Sequence, residues 1–579
     1  MEKNSLVRES IKSVIKKNFS IILLMIFIIF AFVISSLLPP QILRYIIDNN
    51  LAPRNNEGLL LLAYLYMGAI FLIGLFDLAK ETLLTIIGQK ITKEVRMKMM
   101  EKLEKINAMF FSKNESGKIV SNFTNDVDAI NSMFTSVIIG MIIDCFKIIG
   151  VVVSIWLFSV KLGIIAVLLL PIIYYITRFF QKRMLKAQID NLVSVSKVNN
   201  HISESVKNIR MIKLFSKESY MESNYNEYLV DNYETIERVT FYDSIFSPII
   251  LVIRSLIIAL IVILSSEQLN FLGVSVGMIA ASIELISNLF TPIENLGMEL
   301  QNIQQSISGI YRVNEFYEIS EDAKDSVDLT NILGSNNLSL SFNNVTFNYE
   351  DDKNVLENID FKIKPLERIT FVGRTGVGKS TLFKLAMGLL KPSKGSITIN
   401  GINVYNIPNS EKRKIFGYVD QSFPMLSGTV AEQISLKDNS VTFEQVKESL
   451  DFVGLTDYIK TLENGYNTEV KKDNLFSQGQ KQLLAIARAI VTNPPILLLD
   501  EITASLDSIT EEKIITVLQK ASQNHSILTI SHRLSSMISS DKIIILENGK
   551  IKNSGTPETL LKSDDWYRNH IELEKLTWN

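Results

Sequence analysis

The sequence has few of the side chains that build covalent or metal-based frameworks. Its 579 residues include a single cysteine, Cys145, which can form neither an intrachain disulfide nor a zinc cluster. An excess of charge of one sign is also lacking, because 59 Lys and Arg oppose 61 Asp and Glu, for a formal net charge of −2. This balance argues against a global nucleic-acid-binding surface. Since Cys145 lies in an apolar stretch, we expect a buried and unreactive thiol.

Apolar residues, by contrast, make up 47% of the chain, and charged residues still make up 21%. This composition excludes a disordered chain and a collagen-like fibre. The apolar residues are concentrated in the first half, where six segments approach the length of about 20 residues that a helix needs to cross a bilayer. The six predicted spans are 21–38, 59–76, 133–160, 163–180, 245–265 and 271–289.

The first apolar segment follows Lys12, Lys16 and Lys17, as the core of a signal peptide would. Its apolar run is long, however, and a proline pair follows it instead of a small-residue cleavage site. We interpret it as an uncleaved span. The amphipathic stretch before it, residues 6–17, is predicted to lie along the membrane surface.

The distribution of Lys and Arg predicts how the spans are oriented. Basic residues are frequent in the N-terminal arm and in loops 89–131 and 181–240, and rare in loops 49–58, 159–162 and 266–270. The basic loops should therefore be cytoplasmic. Both ends of the chain would then lie on the cytoplasmic side of a plasma or inner membrane. The two long cytoplasmic loops have helical periodicity, so we expect helices that continue well past the bilayer.

The second half of the chain has the composition of an ordinary soluble domain. Polar residues over 317–337 predict a linker between a transmembrane domain at 1–316 and a second domain at 338–579. Short β-rich runs alternate with helical stretches after the linker, which predicts an α/β domain with a largely parallel sheet. Such runs include 368–372, 496–499 and 526–530.

A phosphate-binding loop follows the run at 368–372 and fits the pattern G-x-x-x-x-G-K-[ST]. The loop consists of Gly373, Arg374, Thr375, Gly376, Val377, Gly378, Lys379 and Ser380. Its glycines let backbone N–H groups face phosphate oxygens, and the helix predicted over 381–390 adds a favourable dipole. Lys379 is predicted to reach the terminal phosphates, and Ser380 to ligate Mg²⁺.

Two adjacent acids end the apolar run at 496–499. Asp500 is predicted to hold Mg²⁺ through water, and Glu501 to polarise an attacking water. Paired acids are common in solvated turns, but the buried strand before this pair favours a catalytic role. Because phosphoryl transfer depends mainly on positioning and charge, the phosphate loop and the acids together predict nucleotide hydrolysis.

Four further motifs surround these two. Residues 476–480, Phe-Ser-Gln-Gly-Gln, open an amphipathic run at 481–491 and are called the signature motif below. Gln421 follows a strand predicted at 416–419, Asp507 ends an Ala-Ser-Leu-Asp segment, and His532 lies in Ile-Ser-His-Arg. With six spans before the ATPase, the chain resembles the ATP-binding cassette (ABC) transporters, and looks like a half-transporter of the exporter type.

The resemblance implies an α-helical six-span transmembrane domain followed by an α/β P-loop ATPase. It also implies ATP and Mg²⁺ as ligands and a second half-transporter as partner, with a homodimer the simplest reading and a heterodimer left open. The positions that match the family's nucleotide contacts are Tyr349, Gly373 to Ser380, Thr381, Ser477, Gln478, Gly479, Gln480 and Asp507. Those that match its catalytic positions are Glu501, His532 and Gln421, and those that match its metal positions are Ser380, Gln421 and Asp500.

By the same resemblance, Ser477 and Gly479 would bind the γ-phosphate of the ATP held by the other subunit. His532 would support Glu501 and its water, and Asp507 would link the two sites. Tyr349 would stack on adenine, although a packing role is equally open. The signature motif departs from the common LSGGQ at Phe476 and Gln478, and it retains both phosphate-binding residues.

The expected activity is ATP-driven export of amphipathic small molecules, lipids or peptides across a membrane. An importer built on the same fold is an alternative, whereas six spans and a near-neutral charge argue against an ATPase acting on DNA or ribosomes.

Glu284, Asn288 and Thr291 share one helical face, which we expect to line the pathway. An alternative role as internal ion pairs is open, most clearly for Asp144 with Lys147. By the family resemblance, segments 114–118 and 215–220 would transmit motion between the domains, whereas their sequences alone favour solvated charged turns.

Overall fold

The computed structural model describes residues 6–265, 274–294, 296–322, 338–349, 353–421, 423–470, 475–502, 508–531, 533, 537 and 539–577. The chain forms two compact units. The first comprises Met1–Glu104 and Asn114–Ser320, and the second comprises Lys105–Lys113 and Glu321–Asn579. The second unit therefore includes a short piece of the first half of the sequence.

Most described residues of the first half of the chain are helical, and short turns connect the helices. Its helices are α1 (Leu6–Lys17), α2 (Phe19–Ser36), α3 (Leu38–Ile46), α4 (Leu59–Lys105), α5 (Ala108–Lys113), α6 (Ser116–Ser121), α7 (Val127–Ser132), α8 (Ile139–Phe158), α9 (Val160–Lys207), α10 (Ile209–Leu214), α11 (Glu218–Leu264), α12 (Val276–Glu294) and α13 (Leu296–Glu318). Short π-helical segments lie at Ile47–Leu51, Asn122–Asp126 and Met133–Ile138. The last two of these segments connect α6, α7 and α8 without a break in the helical path.

Three helices are much longer than a bilayer is thick. α4, α9 and α11 contain 47, 48 and 47 residues, and at 1.5 Å per residue each is about 70 Å long. The hydrocarbon core of a bilayer is about 30 Å thick. These lengths agree with the prediction that the spanning helices continue far past the membrane.

Within the described residues, five helical stretches are long and apolar enough to cross a membrane. They are Phe19–Leu51, Leu59–Lys105, Ser116–Phe158, Val160–Lys207 and Glu218–Leu264. A shorter apolar helix, Val276–Thr291, lies where the sixth span is predicted. The first residues of that prediction, 271–273, lie outside the described residues. The chain is thus a multi-pass membrane protein.

One sequence expectation about these spans is wrong. Cys145 was expected to be buried, but its side chain is exposed on α8. The neighbouring Phe146 and Ile142 are exposed as well, while Ile143 and Val151 pack inward. An apolar surrounding in the sequence does not imply burial in a membrane helix, because one face of such a helix can meet lipid.

The start of α12 is capped by a side chain from a distant part of the chain. The Asp48 carboxylate accepts hydrogen bonds from Ser275 Oγ at 2.5 Å and from the Gly277 backbone N–H at 2.8 Å. A side chain at Gly277 would meet the Arg44 carbonyl oxygen, since its Cβ would lie only 2.4 Å away. The cap satisfies N–H groups that a helix start leaves without partners, and it joins the end of α3 to α12.

The end of α13 is held by an ion pair between an arginine and a buried carboxylate. Arg312 donates to Asp126 from Nε at 2.9 Å and from Nη2 at 2.5 Å, and the Asp126 side chain is only 4% exposed. Phe316 is buried one turn later, and the helix continues to Glu318. The chain therefore remains helical slightly beyond the predicted boundary at residue 316.

The second unit is an α/β domain. Its strands are β1 (Leu340–Asn348), β2 (Asn354–Ile363), β3 (Arg368–Val372), β4 (Lys394–Ile399), β5 (Ile402–Asn403), β6 (Phe416–Val419), β7 (Gly428–Thr429), β8 (Glu469–Val470), β9 (Ile496–Asp500), β10 (Ser526–Ile530), β11 (Lys542–Glu547) and β12 (Lys550–Gly555). Its helices are α14 (Lys379–Ala386), α15 (Asn409–Ile415), α16 (Val430–Ser435), α17 (Phe443–Phe452), α18 (Thr456–Lys460), α19 (Gln478–Ile490), α20 (Ser508–Ala521), α21 (Pro557–Ser563) and α22 (Asp565–Thr577).

The central sheet has the order β12-β11-β3-β10-β9-β6, and only β12 pairs antiparallel to its neighbour. β9 and β10 are buried along their whole length, which explains their continuous apolar sequences. A second, antiparallel sheet has the order β2-β1-β4-β5. The parallel arrangement brings the ends of β3, β6, β9 and β10 to one edge, where the loops that follow these strands carry the predicted site residues.

The segment Lys105–Lys113 belongs to this second unit. Met109 packs against the core between the sheets and α14. The Asp322 backbone N–H donates to the Lys105 carbonyl at 2.8 Å, and Ile106 pairs with Glu321 in an antiparallel bridge. The piece of the helical half that packs on the ATPase core therefore comes directly before the predicted segment 114–118.

Candidate nucleotide site

The phosphate loop joins β3 to α14, in the context that the motif requires. Gly376 and Gly378 have φ angles of 84° and 105°, a region that favours glycine. A Cβ on Gly378 would also lie 2.8 Å from a Leu356 methyl group. These positions let the backbone turn tightly into the first turn of α14, where its N–H groups can face an anion.

Lys379 lies at the start of α14 and is only 6% exposed. Its Nζ donates to the carbonyl oxygens of Gly373 at 2.6 Å and Arg374 at 3.1 Å. Burial lowers the pKa of the ammonium, and the charges of Glu501 and Asp500 act in the opposite direction. The ammonium is thus held by its own loop beside two acids, where a phosphate group can accept hydrogen bonds from it.

Asp500 ends β9 and is 7% exposed. Burial raises the pKa of its carboxyl group, the hydrogen bond from Ser380 lowers it, and the charges of Glu501 and Asp420 raise it further. A buried carboxylate beside a hydroxyl group supplies the oxygen ligands that Mg²⁺ prefers. Among the described residues no cluster of three or more His, Cys, Asp or Glu could hold a metal, so a cation here would need phosphate oxygens or water to complete its ligands.

Glu501 has surroundings different from those of its neighbour. Its backbone φ of 48° lies in the left-handed region, which is strained for a residue with a side chain. Its Oε2 accepts a hydrogen bond from Gln421 Nε2 at 3.1 Å, and its backbone N–H donates to Ile530 at 3.0 Å. The structure therefore brings the Gln421 loop, β9 and β10 together around this carboxylate.

Gln421 also contacts the helix that follows the signature motif. The Gln482 side chain on α19 donates to the Gln421 carbonyl oxygen at 3.0 Å. The side chain of Gln421 is exposed, so it remains accessible while its backbone is fixed.

The aromatic residue predicted to contact adenine lies next to α14. The Tyr349 hydroxyl is 3.1 Å from Thr381 Oγ1, and its ring meets that of Phe347 edge to face at a centroid distance of 4.9 Å. Tyr349 and Thr381 are thus within reach of the phosphate loop. The position agrees with both a ligand contact and a packing role.

The signature motif forms the start of α19. Ser477 caps the helix by accepting from the Gln480 N–H at 3.3 Å, while the Gln480 side chain accepts from the Ser477 N–H at 2.9 Å. Ser477 and Gln478 are exposed and Gly479 is buried. Within the described part of the chain, no hydrogen bond joins this motif to the phosphate loop, so one chain presents the two motifs as separate surfaces.

Two predicted residues, Asp507 and His532, lie outside the described residues. One residue near the site was missed by the sequence reasoning. Asp420 directly follows β6, the sheet neighbour of β9, and its charge acts on Asp500. An acid at the end of a buried parallel strand is the signal that could have identified it, because the same signal identified Asp500.

Two family models match the sequence. The ABC transporter transmembrane region matches residues 21–293, and the ABC transporter model matches residues 356–504. The probable multidrug resistance ABC transporter ATP-binding/permease protein YheH of Bacillus subtilis is 29% identical over 90% of this chain and 77% of its own length. The ATP-dependent lipid A-core flippase of Syntrophus aciditrophicus is 28% identical over 84% of this chain and 81% of its own.

A solved structure of a bacterial Atm1-family ABC exporter with ATP bound has the same fold. The two structures superpose with a TM-score of 0.79 at 23% identity, covering 95% of this chain and 98% of the other. The match extends over both the helical half and the ATPase half. Because one chain carries both matched regions in this order, the protein belongs to the ABC transporters of the exporter type, in which an ATPase is coupled to transport.

Proposed function

We propose that this chain is one half of a dimeric exporter that moves amphipathic small molecules or lipids across a membrane, driven by hydrolysis of Mg-ATP. The observation that carries the proposal is the phosphate loop, with Lys379 buried beside Asp500 and Glu501, in a chain that also has membrane-spanning helices. Relatives whose names refer to multidrug resistance and to a lipid A-core flippase support this substrate class.

In this proposal each ATP is held between two chains. The phosphate loop and Tyr349 of one chain bind the nucleotide, and Ser477 and Gly479 of the other complete the site. Ser477 and Gln478 of the signature motif are exposed, and the motif has no hydrogen bond to the phosphate loop in the described part of its own chain, which supports this division. We assign Asp507 to the contact between the two sites and His532 to the support of Glu501, on the family resemblance.

The chain's own residues have distinct parts in hydrolysis. Lys379 binds the terminal phosphates, and Ser380 with Asp500 would hold Mg²⁺, with Gln421 facing the same position. When bound, Mg²⁺ neutralises charge that develops on the phosphate oxygens. Glu501 orients the attacking water and accepts its proton, while its hydrogen bond to Gln421 fixes the carboxylate.

Two cytoplasmic segments are proposed to couple hydrolysis to the spans. Lys105–Lys113 begins at the last residue of α4 and packs as part of the ATPase unit. The second segment is the turn between α10 and α11, where Leu214 and Phe215 are 79% and 62% exposed and Tyr220 is 62% exposed. Exposed apolar side chains on a cytoplasmic turn suit a contact with the ATPase of the other chain.

One face of α12 is proposed to line the transport pathway. Asn288 and Thr291 are exposed and Glu284 is half-buried, whereas Leu285 and Leu289 between them pack into the helical core. The polar face thus points away from the core of its own chain. Asp144 is less suited to the pathway, although Lys147 does not form the expected close ion pair and instead lies 4.8 Å from the Phe32 ring centre.

Purified protein in lipid vesicles provides the test. Amphipathic compounds and lipids should stimulate ATP hydrolysis, and in inside-out vesicles the stimulating compounds should accumulate in the lumen. Glu284→Gln should change the concentration that gives half-maximal stimulation. Ser282→Ala, on the buried face of the same helix, should leave it unchanged. Accumulation in right-side-out vesicles instead would show import, and unchanged stimulation in Glu284→Gln would remove this residue from the pathway.

A further inference from the structure

The first turn of α20 lies directly against the signature motif of the same chain. A Cβ built on Gly479 would lie 2.2 Å from Thr510 Cγ2 and 3.2 Å from Thr510 Oγ1. A distance of 2.2 Å is far inside van der Waals contact, so a side chain at Gly479 would displace either Thr510 or the start of α19. The absence of a side chain at Gly479 therefore lets α19 and α20 meet at this point.

The next residue of α20 makes a second contact, in the opposite direction. Glu511 is 3% exposed, and its Oε2 lies 3.3 Å from Arg533 Nη1. The Arg533 backbone N–H donates to Ser531 Oγ at 3.0 Å. Arg533 follows His532 directly in the sequence, so the ion pair fixes the chain beside that histidine.

We propose that Thr510 and Glu511 form a rigid link between the signature motif and the segment that carries His532. The inference rests on the proposed function, in which these two parts of one chain serve different ATP molecules. The link would then make the position of the signature motif at one site depend on the state of the other. Thr510, Glu511 and Arg533 are positioning residues in this scheme, because they act through Gly479 and His532.

The first turn of α20 is suited to transmit a displacement between the signature motif and the segment that carries His532. Thr510 and Glu511 are consecutive in a regular helix, so a shift of one moves the other. The Glu511 carboxylate is buried, and separating it from Arg533 would cost the attraction between two charges in a poorly solvated place, which keeps the pair closed. Side chains that join two sites in this way typically change the coupling between them by about two- to thirtyfold when altered.

Mixed dimers with a single working site test the link. One chain carries Lys379→Ala, so the remaining site uses the phosphate loop of the second chain and the signature motif of the first. Glu511→Gln is then placed either in the first chain or in the second, and kcat and KM for ATP are measured. Glu512→Gln, an exposed neighbour on the same helix, is the matched control in both positions.

The link predicts that both placements reduce turnover, with different signatures. In the chain that supplies the signature motif, Glu511→Gln should raise KM for ATP about threefold to tenfold, because γ-phosphate binding is weakened. In the chain that supplies the phosphate loop, it should mainly lower kcat, because the His532 segment loses its support. An effect confined to the second placement would overturn the link and leave a local role for the pair.

A second substitution tests the Thr510 contact and does not depend on the buried glutamate. Gly479→Ala in the chain that supplies the signature motif should abolish turnover. Adding Thr510→Ser, which removes the Cγ2 atom that the new methyl group would meet, should restore a measurable part of it. Failure of this rescue, with both proteins folded and dimeric, would contradict the proposed contact.

The two proposals can fail separately. The reference dimer carries Lys379→Ala alone in one chain. ATP hydrolysis by a dimer that carries both Lys379→Ala and Ser477→Arg in one chain would contradict the shared site itself, because the unmodified chain would then work alone. Activity in the reference dimer that responds to neither placement of Glu511→Gln would contradict only the link.

Discussion

Replacing Glu501 with glutamine should nearly abolish turnover without weakening ATP binding. Glutamine has the shape of glutamate and retains an oxygen that can accept the 3.1 Å hydrogen bond from Gln421, so the strained backbone at this position should keep its conformation. The carboxylate that accepts a proton from the attacking water is lost. General-base catalysis contributes roughly 10²–10⁴-fold, so kcat should fall by this factor, or about 3–5 kcal/mol of barrier.

The assay combines two measurements on the purified protein in lipid. Phosphate release gives kcat, and ATP retained after rapid gel filtration shows whether nucleotide is trapped. Glu501→Gln should release little phosphate and retain ATP, whereas Glu512→Gln should behave like the unmodified protein. A Glu501→Gln protein that keeps more than about a tenth of kcat would refute the assignment of Glu501 as the base.

Lys379→Ala should weaken ATP binding about tenfold or more, because it removes a charge-assisted hydrogen bond to phosphate; titration with a fluorescent ATP analogue measures this, and unchanged affinity would contradict it. Asp500→Asn should raise Tm of the nucleotide-free protein at pH 7. Burial raises the pKa of Asp500, so the native state binds its proton more tightly than the unfolded state, and the stability contributed by Asp500 falls as pH rises above about 4. The gain in Tm should disappear at acidic pH, and a gain that persists there would point to another cause. Arg312→Ala should destabilise the helical unit by about 1–3 kcal/mol, because the buried Asp126 carboxylate loses its partner; unchanged thermal unfolding in detergent would contradict a stabilising role for the pair.

The strands and the nucleotide-binding edge could be predicted because their physical causes are local. Residues 368–372, 416–419 and 526–530 form strands with the predicted bounds, since a strand buried on both faces must be apolar along its length. The phosphate loop needs glycine at particular positions, so its sequence pattern is nearly unique. The two acids predicted at the end of a buried strand lie at the end of β9, beside Lys379.

Contacts between residues distant in sequence could not be predicted. Glu511 and Arg533 are ordinary charged residues in the sequence, and only the fold shows that one is buried against the other. The packing of Met109 on the ATPase core could not be predicted either. A short helix with two phenylalanines has no sequence pattern that indicates which surface it contacts. Cys145 was predicted to be buried and is exposed, because hydropathy does not distinguish a side chain that faces lipid from one in the protein interior.

The shared nucleotide site is tested most directly by distributing Lys379→Ala and Ser477→Arg over the two chains of a dimer. With one change in each chain, the account predicts one intact site and measurable ATP hydrolysis. With both changes in the same chain and the other chain unmodified, it predicts none, because each site then lacks one of its two halves. The opposite pattern, with activity only when both changes are in one chain, would show that each chain hydrolyses ATP by itself.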